Sequence, residues 1–235
     1  MSDEINSTTP FLFVDSIPVY FEENWSTGIG GGLWSTGKAM AMYFVNHRLL
    51  VRENIRNLVC LNSRNGGINA LELGSGNGLL SVCLCAAAGD LIQNIFVTDL
   101  EDHLELIHRT FSANSDIVTT DEDEKREGID KKPFLKVKEH RWGHFDDGCD
   151  TEKFDFIFGS DVAYREWLYE PLIKSLKHYS HPGTISLIGV TMHDTKPHFF
   201  KLLKENGFTY QRLPDLQMDP EYRGTTFGLF VIQLS

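Results

Sequence analysis

Leu71-Glu72-Leu73-Gly74-Ser75-Gly76-Asn77-Gly78 is the stretch on which the reading of this 235-residue chain turns. It follows an apolar, strand-like run over 68–73 and opens an apolar, helix-like segment over 79–88. A glycine loop between a strand and a helix is the setting in which open α/β sheets bind cofactors, in the crevice beyond the strand's carboxyl end. Gly74 permits a tight turn. Gly76 lets backbone approach a ligand with no Cβ between them, and Gly78 lets the helix lie close to the sheet. A tight turn with no ligand is the structural alternative.

The spacing is GxGxG with Glu72 just ahead of it, not the GxGxxG of dinucleotide folds. A pyrophosphate is poorly served by a neighbouring acid. S-adenosylmethionine has no phosphate and carries a positive sulfonium and a positive ammonium, so Glu72 suits its methionine end, directly or through water. Asp99 closes the next strand-like run, 21 positions after Gly78. An acid there can accept hydrogen bonds from both ribose hydroxyls. Asp99 or Asp102 could equally cap the helix that follows.

Outward from this loop, seven strand-like runs are predicted, over 68–73, 94–98, 134–138, 154–159, 184–190, 208–212 and 227–234. Helical patterns over 79–88, 102–114, 167–179 and 196–206 fall between them, and several of the runs are continuously apolar. This predicts an α/β, Rossmann-like, seven-stranded and mostly parallel sheet with helices on both faces. Residues 213–226 show no helical pattern, so the C-terminal strand should be antiparallel. Residues 1–30 read as a tail (1–10) and short strands (11–14, 18–22), and 31–235 as one domain. Four glycines in 28–32 predict a loop of unusual backbone freedom, and 37–51 a helix. The acidic stretch 115–132 reads as a mobile surface loop.

Further motifs follow the loop: Gly31-Gly32-Leu33-Trp34, Val97-Thr98-Asp99, Arg141-Trp142-Gly143 and Gly159-Ser160-Asp161-Val162-Ala163-Tyr164. With them the chain, from about Trp34 to its end, resembles the seven-β-strand protein lysine methyltransferases of methyltransferase family 16. The resemblance implies S-adenosyl-L-methionine as cofactor, bound by Trp34, Glu72, Gly74, Ser75, Gly76, Asp99, Trp142 and Ser160. Trp142 would lie against adenine, Trp34 beside the entrance, and Ser160 would offer a main-chain contact. Asp161 and Tyr164 would be the catalytic pair, the Asp-x-x-Tyr lining the channel for the target amine. The implied substrate is a lysine of a non-histone protein such as a chaperone or translation elongation factor. Val190-Thr191-Met192-His193-Asp194 lacks the arginine the family often carries there, and Arg141 stands where an acid is common. Those departures keep open methylation of a protein arginine or a small-molecule amine; an inactive cofactor-binding interaction module whose acidic loop docks a partner is a second alternative.

Composition sets the outer bounds. A net charge of −11 with no strong basic patch argues against nucleic acid and anionic lipid as partners. No CxxC pair or HExxH pattern occurs among the four cysteines and nine histidines, so no metal is expected. Buried free thiols suit a reducing compartment. The N-terminus has no secretory pattern, and no apolar stretch is long enough to span a bilayer. The expectation is a monomer of the cytoplasm, with the nucleus as a second compartment.

Overall fold

The computed structural model describes residues 9–64, 66–120, 133–145 and 152–235. Residues 1–8 of the expected tail, 121–132 of the expected acidic loop, and Cys149 lie outside them.

Each of the seven strand-like runs forms a strand. The apolar ones are the centre of the sheet: β3 (Ile68–Leu73), β4 (Ile92–Asp99), β7 (Phe156–Ser160) and β8 (Ile185–Thr191). They are parallel and flanked by β6 (Phe134–Glu139). A two-residue strand, β5 (Thr119–Thr120), pairs with Phe134 and Leu135. The sheet therefore has eight strands, not seven, in the order β5-β6-β4-β3-β7-β8-β10-β9. β5 is too short and polar to show a period-2 pattern, so the expected loop conceals it. The C-terminal strand β10 (Phe227–Leu234) is antiparallel, as expected. It inserts between β8 and β9 (Phe208–Arg212), which leaves β9 as the edge. A short hairpin of β1 (Leu12–Val14) and β2 (Ile17–Val19) precedes the sheet.

Strand alternation divides the core between two layers. Ile68, Ala70, Ile95, Val97 and Phe158 face one cluster with α1 (Ser35–Asn46), α2 (Arg48–Leu61), α3 (Leu79–Ala88) and α4 (Glu101–Ser112). Leu71, Leu73, Phe96, Ile157 and Ile188 face the other, with α5 (Glu166–Tyr179) and α6 (Pro197–Glu205). The single helix expected over 37–51 is two helices that break at His47, whose φ and ψ are −105° and 29°. α2 buries Val51, Ile55 and Leu58, an i, i+4, i+7 stripe that continues past the end of the expected helix.

The glycine-rich 28–32 stretch forms short 3-10 turns, and only Gly28 there has a positive φ, 106°. A Cβ on Gly32 would lie 2.1 Å from the Trp25 ring, so the absence of side chains mainly serves close packing. Cys83 and Cys85 are buried free thiols in α3, whereas Cys60 is exposed. Among the described residues no helix is long and apolar enough to cross a membrane.

Candidate active site

The parallel strands β3, β4, β6, β7 and β8 deliver their carboxyl ends to one rim. A cavity of about 1190 Å³ opens there, bounded also by the 27–37 segment and the start of α5. That is the crevice where ligands bind in doubly wound sheets, and it exceeds the ~300–1,000 Å³ usual for small-molecule pockets. Trp34, Gly74, Ser75, Gly76, Asp99, Trp142, Ser160, Asp161 and Tyr164 all line it. Glu72 does not.

The loop leaves β3 through Gly74 and Gly76, with φ of +66° and +62°. A Cβ on Gly74 would stand 2.8 Å from the Trp142 indole and 2.9 Å from Val162. A Cβ on Gly76 would stand 2.6 Å from the Gly30 carbonyl oxygen. The close approach that Gly76 permits is thus to the chain's own 28–32 strip, which borders the cavity.

Asp99 ends β4. The Gly76 and Leu100 amides donate to its two carboxylate oxygens, each at 2.7 Å. Burial raises its pKa, opposed by His103 and those two amides. His103, absent from the sequence reading, is buried behind it, with Nδ1 2.8 Å from Asp102 and 3.5 Å from Asp99. Its Nε2 would meet a Cβ on Gly30 at 2.6 Å. Only these contacts distinguish it from any other helical histidine.

Glu72 follows the alternation of β3. It faces the same way as Ala70, into the layer under α3, and is fully buried. Ser81 of α3 donates to its Oε2, while Oε1 has no hydrogen-bond partner. Burial pushes its pKa up to about 8, against the opposing hydroxyls of Ser81 and Ser75.

Asp161 has φ +54°, the left-handed region, which Asp tolerates better than most residues. Its own amide donates to the Gly189 carbonyl at 2.9 Å and the Thr191 hydroxyl donates to its Oδ1 at 3.3 Å. It does not cap α5, whose first turn has no side-chain cap. It faces the opening turn of α1 instead. Burial raises its pKa, and the Thr36 hydroxyl, the Thr36 and Gly37 amides and the Thr191 hydroxyl oppose the rise. Its buried Oδ2 closes no hydrogen bond. Burial also raises the Tyr164 phenol, with Arg165 opposing. Trp34 is 46% exposed, donates to the Ile29 carbonyl at 2.7 Å and meets the Trp25 ring edge-on at 5.9 Å.

The wall therefore offers an indole face and acceptor carboxylates and, among the described residues, no clamp of lysines for phosphate. Asn77 Nδ2, His103 Nε2 and Asp161 Oδ2 are buried polar atoms without hydrogen-bond partners among the described residues, and all three residues line the cavity. These groups fit a ligand with a flat base, hydroxyls and positive charge.

Comparison with known proteins agrees. The lysine methyltransferase family matches residues 14–206. Protein N-lysine methyltransferase METTL21A of Mus musculus is 23% identical, across 86% of this chain and 78% of that protein. EEF1A lysine methyltransferase 3 of Xenopus tropicalis is 25% identical, across 74% of this chain and 64% of that protein, just under two thirds of its length. The solved CurJ carbon methyltransferase shares the fold, with a TM-score of 0.58 at 16% identity over 86% of this chain and 56% of that one. With a match running from the end of β1 past α6, the chain belongs to the lysine methyltransferase family, whose methyl donor is S-adenosyl-L-methionine.

Proposed function

We propose that the chain methylates a lysine side chain of a non-histone protein, and that Asp161 and Tyr164 receive the target amine. A translation elongation factor is the substrate class that one relative's printed name supports, and a chaperone remains within the same reading. The observation that carries the proposal is Asp161 itself: a carboxylate on a rigid strand end, in a left-handed conformation, with a buried oxygen unpartnered in the cavity wall. Backbone strain of this kind costs about 1–3 kcal/mol and collects at functional sites.

The bound cofactor supplies an electrophilic methyl group on sulfur. Trp142, packed on Gly74, holds a flat base. Asp99 accepts from ribose hydroxyls. Trp34 flanks the entrance, and the Ser75 and Ser160 region backs the loop. Glu72 acts from behind the loop through Ser75 and Ser81. Asp161 attracts and orients the lysine ammonium, and its raised pKa brings it toward accepting the proton the amine must lose. The Tyr164 phenol, kept neutral by burial, donates or accepts at the same nitrogen. Orientation of this kind supplies up to roughly 7–11 kcal/mol of a barrier.

The test combines calorimetric cofactor binding with labelling of a lysate lacking the endogenous enzyme, using tritiated S-adenosylmethionine. The wild type should bind cofactor and yield methyllysine on hydrolysis. Asp161→Asn, which tolerates the same backbone, should retain binding within a few-fold and lose labelling by about 100-fold or more. Label recovered as methylarginine, or only in a low-mass fraction, would overturn the lysine reading.

A further inference from the structure

Arg165 follows Tyr164 directly and lines the cavity at the start of α5. It is exposed, on a chain of net charge −11. Its guanidinium carbon lies 6.0 Å from the Tyr164 ring centroid and 5.6 Å from that of Trp167. Among the described residues its guanidinium makes no hydrogen bond or ion pair. Arg141, beside Trp142, is also exposed and lines the same cavity, and its guanidinium likewise has none among the described residues.

Most described arginines elsewhere in the fold are engaged; Arg223 donates to the Met218 and Leu216 carbonyls, and Arg56, exposed on α2 away from the cavity, is the exception. Arg48, Arg52, Arg64, Arg109 and Arg212 each pair with a carboxylate. Of the carboxylates of the cavity wall, Asp99 is held by two amides, Asp102 by His103 and Asp194 by His193, while Asp161 accepts from Thr191 on Oδ1 alone and leaves Oδ2 for the target amine. The mouth thus holds two arginines whose side-chain donors pair with no carboxylate among the described residues. A guanidinium resting beside aromatic rings keeps its edge free, and that edge matches a carboxylate in a two-pronged fashion.

We propose that Arg165, with Arg141 as a second anchor, selects substrate segments that carry an Asp or Glu within about three residues of the target lysine. The reach follows from adjacency. Arg165 is one residue from Tyr164, and an extended chain advances ~3.3–3.6 Å per residue. The selection also answers a problem set by the enzyme's own charge. An acidic segment is repelled by this surface at long range, so its acceptance needs a local cation at the mouth. The proposal rests on the lysine reading above.

The test uses a synthetic peptide library with one central lysine and flanking positions varied among Glu, Gln and Arg. Methylated products are sequenced by mass spectrometry for the wild type and for Arg165→Glu, with cofactor affinity measured by calorimetry for both. The wild type should enrich Glu over Arg about tenfold at one or more flanking positions. Arg165→Glu should reverse that preference with cofactor affinity changed less than about threefold. Absence of a Glu preference in the wild type overturns the proposal, as does the same preference in both proteins. Weakened cofactor binding with an unchanged peptide preference also overturns it, because Arg165 would then hold the cofactor's carboxylate. If neither the library nor the lysate gains label on lysine, the lysine reading itself falls, and the selection with it.

Discussion

Glu72 stands two residues before Gly74, on the strand face that α3 covers, with no exposed surface. Its carboxyl is held near pKa 8, against 4.5 for the free group, because burial disfavours the charged form. The folded chain therefore keeps this proton to higher pH than the unfolded chain does. The stability this confers is full below about pH 4.5 and is lost as the pH rises to about 8, above which the charged form is buried at full cost. Glu72→Gln removes the titration. Its melting temperature should exceed the wild type's by several degrees at pH 9 and by little at pH 5, and an offset independent of pH would refute the assignment. The direction in which Glu72 points was open to sequence reading, since alternation from Ala70 places it under α3. The other residues singled out by sequence line one cavity because each ends or follows an apolar strand or borders the glycine loop. Thr36 matters through Asp161 and Thr191, far off in sequence, Arg165 through the aromatic rings beside it, and His103 through Asp99 and Asp102 together with the distant Gly30, so no motif marks them.

The 9–34 segment is fastened to the body through α4. Asn114, 2% exposed, accepts from the Tyr20 amide at 2.9 Å and donates to the Tyr20 carbonyl at 2.8 Å. Two residues on, the Glu22 amide donates to the Thr110 hydroxyl at 3.3 Å, and Arg109 pairs with Glu22 at 2.9 Å. The chain then carries this clasp to the cavity. Glu23 accepts from the Leu33 amide at 2.7 Å, and the Asn24 amide donates to the Gly31 carbonyl at 2.8 Å. Asn114→Ala leaves the Tyr20 peptide groups without these partners, a loss of about 1–3 kcal/mol. Chemical denaturation should show that loss, and calorimetry should show weaker cofactor binding, because the strip over Gly76 depends on the clasp. A stability loss with unchanged affinity would separate the clasp from the site. At this scale the sequence conveyed what periodicity can convey. All four helices between the strand-like runs were legible to within a residue or two. The break at His47 and the run of α2 to Leu61 were not, because Leu49-Leu50-Val51 carry the apolar pattern across the break and the polar residues among 52–57 then thin it out. β5 was not, because two threonines carry no period.

The architecture as a whole was legible because alternating strands and helices admit few topologies once crossovers are right-handed. The position of β10 between β8 and β9 was not, since a linker without helical pattern predicts direction but not order. That architecture also governs how a ligand acts on stability. The cavity wall draws on the last residues of β4, β7 and β8, the segments that follow β3 and β6, the opening turns of α1 and α4, the start of α5 and the 27–37 strip, and so joins both core layers through one set of strand ends. A ligand held there binds the folded chain and not the unfolded one. At 100 times its dissociation constant it should add about 2.7 kcal/mol. In a domain of this length each kcal/mol moves the melting temperature by ~2–4 °C, so S-adenosylmethionine at that concentration should raise it by roughly 5–10 °C. Hydrogen exchange should slow most at 28–34, 74–79, 99–103 and 160–165, where the wall is built. It should change least along β9, the sheet edge farthest in order from β3 and β4. A melting temperature that stays fixed across that concentration range would mean that the cavity does not hold the cofactor by itself. Protection confined to 74–79 would mean that the strip and α5 take no part in holding it.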